Sequence, residues 1–503
     1  MYKRDLFLNR DGFSGPLKYL LVIIIAVAMS CNLTSCGGSG GGNPVTPPST
    51  AKSSAHVLNG FNINSVTNSS LNLKSDCKGV ISDSVVLITV PEGISLTRLV
   101  PDFSISSNAT LSINGVSVTS GKTALDMSNA VKMTVTAENG TSHAYYWLLA
   151  RNGNLSFDNA VYEMMKNYHI PGVSLAATQK EKLVYSAGYG FAETETHTRL
   201  TPNMLFRLGS VSKQQTTLCI MRLYEAGKLK MDDRVFGTGG ILEKEFPETV
   251  ANPFVAGATG VTVENLLEHN SGWSFEPIFD TGGTAYDGKT LDERIDYMLH
   301  NQKLSYATGS TYSYFNMGFC ILGRIIEKLS GESYENYLRE TMALAGVTDM
   351  WVDKTDKADR RSNEVVFYSQ SGTNGYHNPM EIVAACGGVI ASAPDLMQIM
   401  CHEDYGTVVP DVLSESTLNM MYTRSPNYTY YAHGWRVNHS YYTNWGSYHG
   451  GNLAGTGTLW ARGKYGVNAV ILCNSRSYDA YNGTSFDVAL YDILGLVMAS
   501  LGD

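Results

Sequence analysis

Three short clusters hold the residue types that acyl transfer needs. In Leu205-Phe206-Arg207-Leu208-Gly209-Ser210-Val211-Ser212-Lys213, Ser210 and Lys213 stand one helical turn apart and share a helix face. A serine hydroxyl attacks a carbonyl only when a neighbouring base takes its proton, and a partly desolvated lysine can be that base. The start of a helix also turns backbone N–H groups toward the serine, where an oxyanion would form. Tyr314-Phe315-Asn316 adds a phenol able to exchange protons with the serine and a leaving group, and an amide able to hold the lysine and a substrate carbonyl. His449-Gly450-Gly451 lies in a strand-like stretch, where glycines let a substrate lie along the edge and a backbone N–H can complete an oxyanion hole.

Spelling alone does not select these clusters. Ser49-Thr50-Ala51-Lys52 and Ser75-Asp76-Cys77-Lys78 also read Ser-x-x-Lys, but neither opens an apolar helix. Tyr334-Glu335-Asn336, Tyr376-His377-Asn378 and Tyr442-Thr443-Asn444 match Tyr-x-Asn. The elements around the clusters discriminate. Lys213 leads into helical spacing at Leu218, Met221, Leu223 and Tyr224, stopped by Gly227, and Asn316 leads into Ile321, Leu322, Ile325 and Ile326, stopped by Gly331. Mixed helices and strands run from Asn152 to the end, with an apolar strand at Val467–Leu472 and a closing helix from about Phe486 to Leu501, predicting one α+β domain over 152–503. Before it, residues 56–151 alternate in strand fashion, as at Val85–Val90 and Ala130–Thr136, with turns at Asn114-Gly115 and Asn139-Gly140. This pattern predicts an antiparallel β-sandwich acting as a spacer or binding module without chemistry of its own.

The chain has 503 residues, 43% apolar and 17% charged, which suits a folded protein rather than a disordered one. Its net charge of −9, without a basic run, points away from nucleic acid. The eight cysteines form no CxxC pair, and the histidines form no His-x-His-x-Asp-His run, so a zinc ribbon and a metal-dependent hydrolytic site are not expected. Lys3, Arg4, Arg10 and Lys18 precede an apolar stretch from Tyr19 to Met29, long enough for a signal peptide and too short to span a bilayer. Leu33-Thr34-Ser35-Cys36 resembles a bacterial lipobox, with Ala28-Met29-Ser30-Cys31 a weaker match. Lipidation of Cys36 at the end of segment 1–36 would anchor the chain to a membrane in the cell envelope, and the Gly/Ser/Pro tether 37–55 would hold the domains off it.

Taken together, the clusters resemble the serine β-lactamase and penicillin-recognising superfamily, closest to its class C β-lactamase, D,D-carboxypeptidase and esterase branch. Ile170-Pro171-Gly172-Val173, Leu266-Leu267-Glu268-His269-Asn270-Ser271-Gly272, Gly387-Gly388, Ser392-Ala393-Pro394-Asp395 and Tyr431-Ala432-His433-Gly434-Trp435 extend the likeness over about Phe157 to Leu501. The sandwich is similar to immunoglobulin-like modules that Bacteroidota lipoproteins carry after their tether. The resemblance implies Ser210 as acylated nucleophile, Lys213 as its base partner and Tyr314 as acid/base. It implies Asn316 as a donor to substrate, and an oxyanion hole from the N–H groups of Ser210 and of Asn452, just past Gly451. It implies no cofactor and a small-molecule acyl donor that is cleaved as an ester, amide or β-lactam, or whose acyl group passes to a hydroxyl of a polycyclic or sterol/bile-acid-like acceptor. A non-turnover penicillin-binding or sensor protein is the remaining alternative, against which the intact Ser210, Lys213 and Tyr314 argue. His449 replaces the branch's lysine, which weakens the fixed positive charge expected opposite a substrate carboxylate. His269 is expected to be a structural hydrogen-bonding residue. Seven tyrosines, with Trp435 and Trp445, fall between Tyr422 and Tyr448, and their expected place is sheet packing, with one or two rings facing substrate.

Overall fold

A computed structural model describes residues 51–278, 285–372, 374–376, 378–426, 428–438, 443 and 445–502. The targeting segment with Cys31 and Cys36, the tether to Thr50, and His377, Tyr441, Tyr442 and Asn444 lie outside the described residues. Lys52–Asp503 forms one compact unit. No helix among the described residues is long and apolar enough to cross a membrane.

The amino-terminal part is all-β, with a three-stranded and a six-stranded sheet closing over Phe61, Ile88, Met133 and Leu148. It departs from the expected antiparallel pattern at one pair. Strand β1 (Val85–Pro91) runs parallel to β2 (His143–Gly153), because the strands between them in sequence form the crossover that a parallel pair requires. Strand β2 leads directly into helix α1 (Leu155–Asn167). Val80, Leu87 and Leu149 of the sandwich share a core with Phe157, Val161 and Tyr162 of α1. Asp158, fully buried on α1, is held by Arg151 and Thr89 from the sandwich and by the hydroxyls of Tyr185 and Tyr189. An independent spacer would have a sealed surface of its own; this one is built onto the second domain.

That domain is organised around a seven-stranded antiparallel sheet. Its main strands are β3 (Gly172–Gln179), β4 (Lys182–Glu193), β5 (Arg436–Val437), β6 (Trp445–Leu453), β7 (Thr456–Gly463) and β8 (Val467–Cys473). The order is Thr198–Arg199, β4, β3, β8, β7, β6, β5, so the two ends of the domain meet at β3 and β8. Residues along β8 alternate between two cores. Val470 and Leu472 face the helical region, while Ala469, Ile471 and Cys473 face α1 and the closing helix. A strand buried on both faces has no polar side, which explains its continuous apolar run.

The helical region is inserted between β4 and β5. It contains α2 (Ser212–Glu225), α3 (Val263–Leu267), α4 (Asn316–Ser330) and α5 (Met380–Gly387), and α6 (Phe486–Gly502) closes the far face of the sheet. Sequence spacing predicts α2 to be amphipathic, but it is buried nearly all round, including Gln214, Gln215, Thr216 and Thr217. Its polar residues are partly paid for by backbone carbonyls: Thr216 Oγ1 donates to Ala385 O at 2.6 Å and Gln214 Nε2 to Gly434 O at 2.6 Å. A central helix bonded on several sides is a rigid base for the residues at its amino end.

Candidate active site

Ser210 sits in a single 3-10 turn, Gly209–Val211, that runs straight into α2. Gly209 has φ of +57°, and a Cβ there would stand 2.9 Å from Asn452 N. A Cβ on Gly451 would meet Leu208 O at 2.0 Å. These two glycines let β6 pass directly against the serine turn, with Asn452 N next to Gly209. Thr458 on β7 ties the contact by donating to Leu208 O at 2.7 Å.

Lys213 is completely buried, and its three N–H groups have three acceptors: Ser210 Oγ at 3.2 Å, Asn316 Oδ1 at 2.7 Å and Cys386 O, near the end of α5, at 2.7 Å. Burial acts to lower its pKa, but the neighbouring Tyr314 hydroxyl and the Cys386 and Cys320 thiols outweigh it and raise the pKa above the usual lysine value. The Tyr314 hydroxyl donates to Ser210 Oγ at 2.8 Å, and Lys213 Nζ lies 4.9 Å from the centre of the Tyr314 ring. Ser210, Lys213, Tyr314 and Asn316 therefore meet at one point, with Gly451 and Asn452 lining it. The competing Tyr-x-Asn copy at Tyr334 lies elsewhere, its hydroxyl bonded to Thr216 inside the helical core.

His449 is buried behind this point and belongs to a hydrogen-bonded chain whose direction is fixed at both ends by backbone. Phe315 N–H donates to His269 Nδ1 at 3.1 Å, which makes His269 Nε2 the protonated nitrogen. That N–H donates to Tyr431 Oη at 3.0 Å, Tyr431 O–H donates to His449 Nε2 at 3.2 Å, and His449 Nδ1–H donates to Gly450 O at 2.8 Å. Burial, together with Lys213 and Arg436, pushes the pKa of both histidines well below the ordinary value, so both are neutral at pH 7. His269 thus has the structural place expected of it, and His449 supplies no charge.

Two residues were not singled out from the sequence. Glu276 accepts from Asn316 N at 2.7 Å and Met317 N at 3.3 Å, capping α4 from a distant loop. It also hydrogen-bonds the Asn316 side chain, and burial raises its pKa to about 7. The Asn316 amide is therefore engaged at both ends, by Lys213 and by Glu276, and one N–H remains for substrate. The available signal was Phe315 at the helix N-cap, a residue that cannot cap, which implies a cap from elsewhere. Arg436 stands on β5 opposite Tyr448, one residue from His449 in register. Tyr312, Tyr431 and Tyr448 surround it, and no carboxylate among the described residues pairs with it.

Among the described residues, part of the tyrosine-rich stretch packs in the core and on the sheet as expected. Trp435 packs between Tyr422 and Trp460 in the core, and Trp445 and Tyr448 pack on Tyr491 of α6. Tyr428 stacks on Tyr312 with ring centres 4.0 Å apart, forming a wall beside Tyr431.

Fold and converging side chains define the scaffold, that of the β-lactamase and transpeptidase fold. A family model described as Beta-lactamase matches residues 157–490, and one described as SGBP, N-terminal, matches residues 68–148. The chain belongs to the β-lactamase family. It is 22% identical over 345 residues to Protein flp of Staphylococcus aureus, covering 65% of this chain and 64% of that protein, so it spans just under two thirds of that relative's length. Two solved structures share the fold. The octameric penicillin-binding protein homologue from Pyrococcus abyssi has a TM-score of 0.56 at 22% identity, covering 68% of this chain and 77% of that one. D-amino acid amidase from Ochrobactrum anthropi has a TM-score of 0.54 at 19% identity, covering 69% and 99%.

Proposed function

We propose that the chain cleaves an ester or amide, including a β-lactam amide, through an acyl-enzyme on Ser210. The observation that carries this reading is Ser210 Oγ, 2.8 Å from the Tyr314 hydroxyl and 3.2 Å from Lys213 Nζ, in a turn pressed against the Asn452 N–H. Lys213, with every N–H engaged and its pKa raised, serves as a fixed ammonium rather than as the base itself. Its charge lies 4.9 Å from the centre of the Tyr314 ring, and Ser210, Lys213 and Tyr314 act as one proton-transfer unit. Once the unit has lost one proton, Tyr314 oxygen takes the Ser210 proton as Oγ attacks the carbonyl carbon. The oxyanion that forms is held by the N–H groups of Ser210 and Asn452. Tyr314 then gives its proton to the leaving group as the bond to carbon breaks, leaving an acyl ester on Ser210. Water, activated by the same tyrosine, releases the acid and restores the serine.

Because His449 is neutral, Arg436 is the fixed cation offered to an anionic group on the substrate. A second reading, transfer of the acyl group to an alcohol, is favoured by the Tyr312–Tyr428 wall, which suits a flat polycyclic or sterol-like acceptor. The SGBP-type match at 68–148 supports a place in the cell envelope, and we include anchoring through lipidated Cys36 in the proposal.

The test is intact-mass spectrometry after incubation with an activated acyl donor, with and without an alcohol. One acyl group per chain on wild type and none on Ser210→Ala supports the reading. An adduct that persists in Ser210→Ala refutes it, and the released product, acid or ester, separates hydrolysis from transfer.

A further inference from the structure

Behind the active site, the end of α3 faces the segment that carries Tyr431. Glu264 and Glu268 stand one turn apart, and His433 lies across from them. The three ligand atoms lie within 4.8 Å of one another. His433 Nε2 is 3.9 Å from Glu268 Oε1 and 4.0 Å from Glu264 Oε1, beyond hydrogen-bond reach of either.

The histidine is 4% exposed, and its Nε2 has no hydrogen-bond partner among the described residues. Its other nitrogen is committed, since Nδ1 donates to Met420 O at 3.0 Å. The lone pair of a neutral imidazole therefore points at two carboxylate oxygens. Such an arrangement is repulsive unless something positive lies between them. The surrounding bonds are those that orient metal ligands. Backbone holds the far nitrogen of the imidazole, and the second oxygen of Glu268 accepts from Asn270 Nδ2 and Ser425 Oγ, both at 2.8 Å, which turns Oε1 toward His433.

We propose that Glu264, Glu268 and His433 bind one divalent transition-metal ion. Imidazole selects against magnesium and calcium, and two carboxylates without thiolate suit zinc or manganese. Ligand atoms bound to one tetrahedral zinc are roughly 3.4 Å apart, given zinc–ligand distances of about 2.0–2.1 Å, so the 3.9 and 4.0 Å separations must shorten by about half an ångström and a 4.8 Å one by about 1.4 Å, within reach of side-chain rotation. Glu264 is half exposed, which gives the ion a path in and room for water to complete its coordination. The sequence does not display this set, because two ligands come from one helical turn and the third lies 165 positions later. The ion takes no part in acyl transfer. It clamps α3 to the segment between Tyr431, which orders the histidine chain, and Arg436.

The full chain, stripped with chelator and dialysed, is titrated with zinc chloride alone and with manganese chloride alone. Bound metal is counted by elemental mass spectrometry, and the unfolding temperature is followed in parallel. About one ion per chain is expected, with an upward shift in unfolding temperature. Glu264→Gln, at an exposed position that leaves the core intact, should weaken binding at least about tenfold and abolish the shift, and His433→Gln should do the same. Failure of both ions to bind wild type, or binding that Glu264→Gln leaves unchanged, overturns the proposal.

Discussion

Tyr431→Phe tests the direction assigned to the histidine chain. The change removes one oxygen and keeps the ring that packs against His269, Tyr312 and His449. It leaves two groups without partners, the Nε2–H of His269 and the Nε2 lone pair of His449, each on a residue 1% exposed. An orphaned buried donor or acceptor costs about 1–3 kcal/mol, so the pair should cost roughly 2–6 kcal/mol. Against a typical total of about 5–15 kcal/mol, that is a large shift in a urea unfolding midpoint. Tyr430→Phe, on a ring 48% exposed, is the control and should stay within about 0.5 kcal/mol of wild type. The acylation rate of Tyr431→Phe should also fall, on the order of tenfold, as the strand carrying Gly451 and Asn452 loses its anchor. A cost below about 0.5 kcal/mol in Tyr431→Phe would refute the chain as drawn, since neither histidine nitrogen could then depend on that hydroxyl.

Lys213→Ala and Tyr314→Phe should each slow acylation by about a hundredfold or more, and their double variant should lose little further in stopped-flow measurements, because they share one proton unit. Glu276 makes a pH prediction. Its folded pKa of about 7 lies above the ordinary 4.5, so the folded state binds the extra proton and stability falls as pH rises from about 4.5 through about 7. Glu276→Gln should flatten that fall in unfolding curves recorded across the range, and an unchanged slope would count against the assignment. Deleting residues 56–151 should lower the unfolding temperature of the remainder and promote aggregation, because Asp158 loses Arg151 and Thr89 and the apolar face of α1 is uncovered. A well-folded, fully active deletion protein would show that the shared core is dispensable.

What could be read in the sequence was local. Ser210 with Lys213, and Tyr314 with Asn316, announce themselves through spacing of one turn or less and through the helices they open. The β-lactamase scaffold followed from the resemblance those motifs carry to a known family, and the all-β region before it from strand alternation. The rest is made by contacts between positions far apart in the chain. Glu276 reaches Asn316 across 40 positions, and Cys386 offers its carbonyl to Lys213 across 173. Neither has a periodic signature, and a backbone carbonyl has no residue type to recognise. The parallel pairing of β1 with β2 and the burial of α2 on all sides are likewise set by what packs against them, which spacing within a single element does not encode.

The same distant contacts decide how charge is laid out around Ser210. A lysine one turn from the serine reads as its base, but its three donors are used on Ser210, Asn316 and Cys386, so in the proposed reading it stays an ammonium beside Tyr314. The histidine of the third motif reads as a weakened positive charge and is neutral, held so by burial and by nearby positive groups. In the proposed reading, positive charge for a ligand is thereby left to Arg436, on the strand beside His449, while the Glu276 carboxyl accepts from Asn316 N. On that reading, Arg436 answers an anionic group on the substrate and Glu276 holds Asn316, two residues outside the three motifs. Relatives that share Ser210, Lys213 and Tyr314 can then differ in substrate without any change in the proton-transfer unit itself.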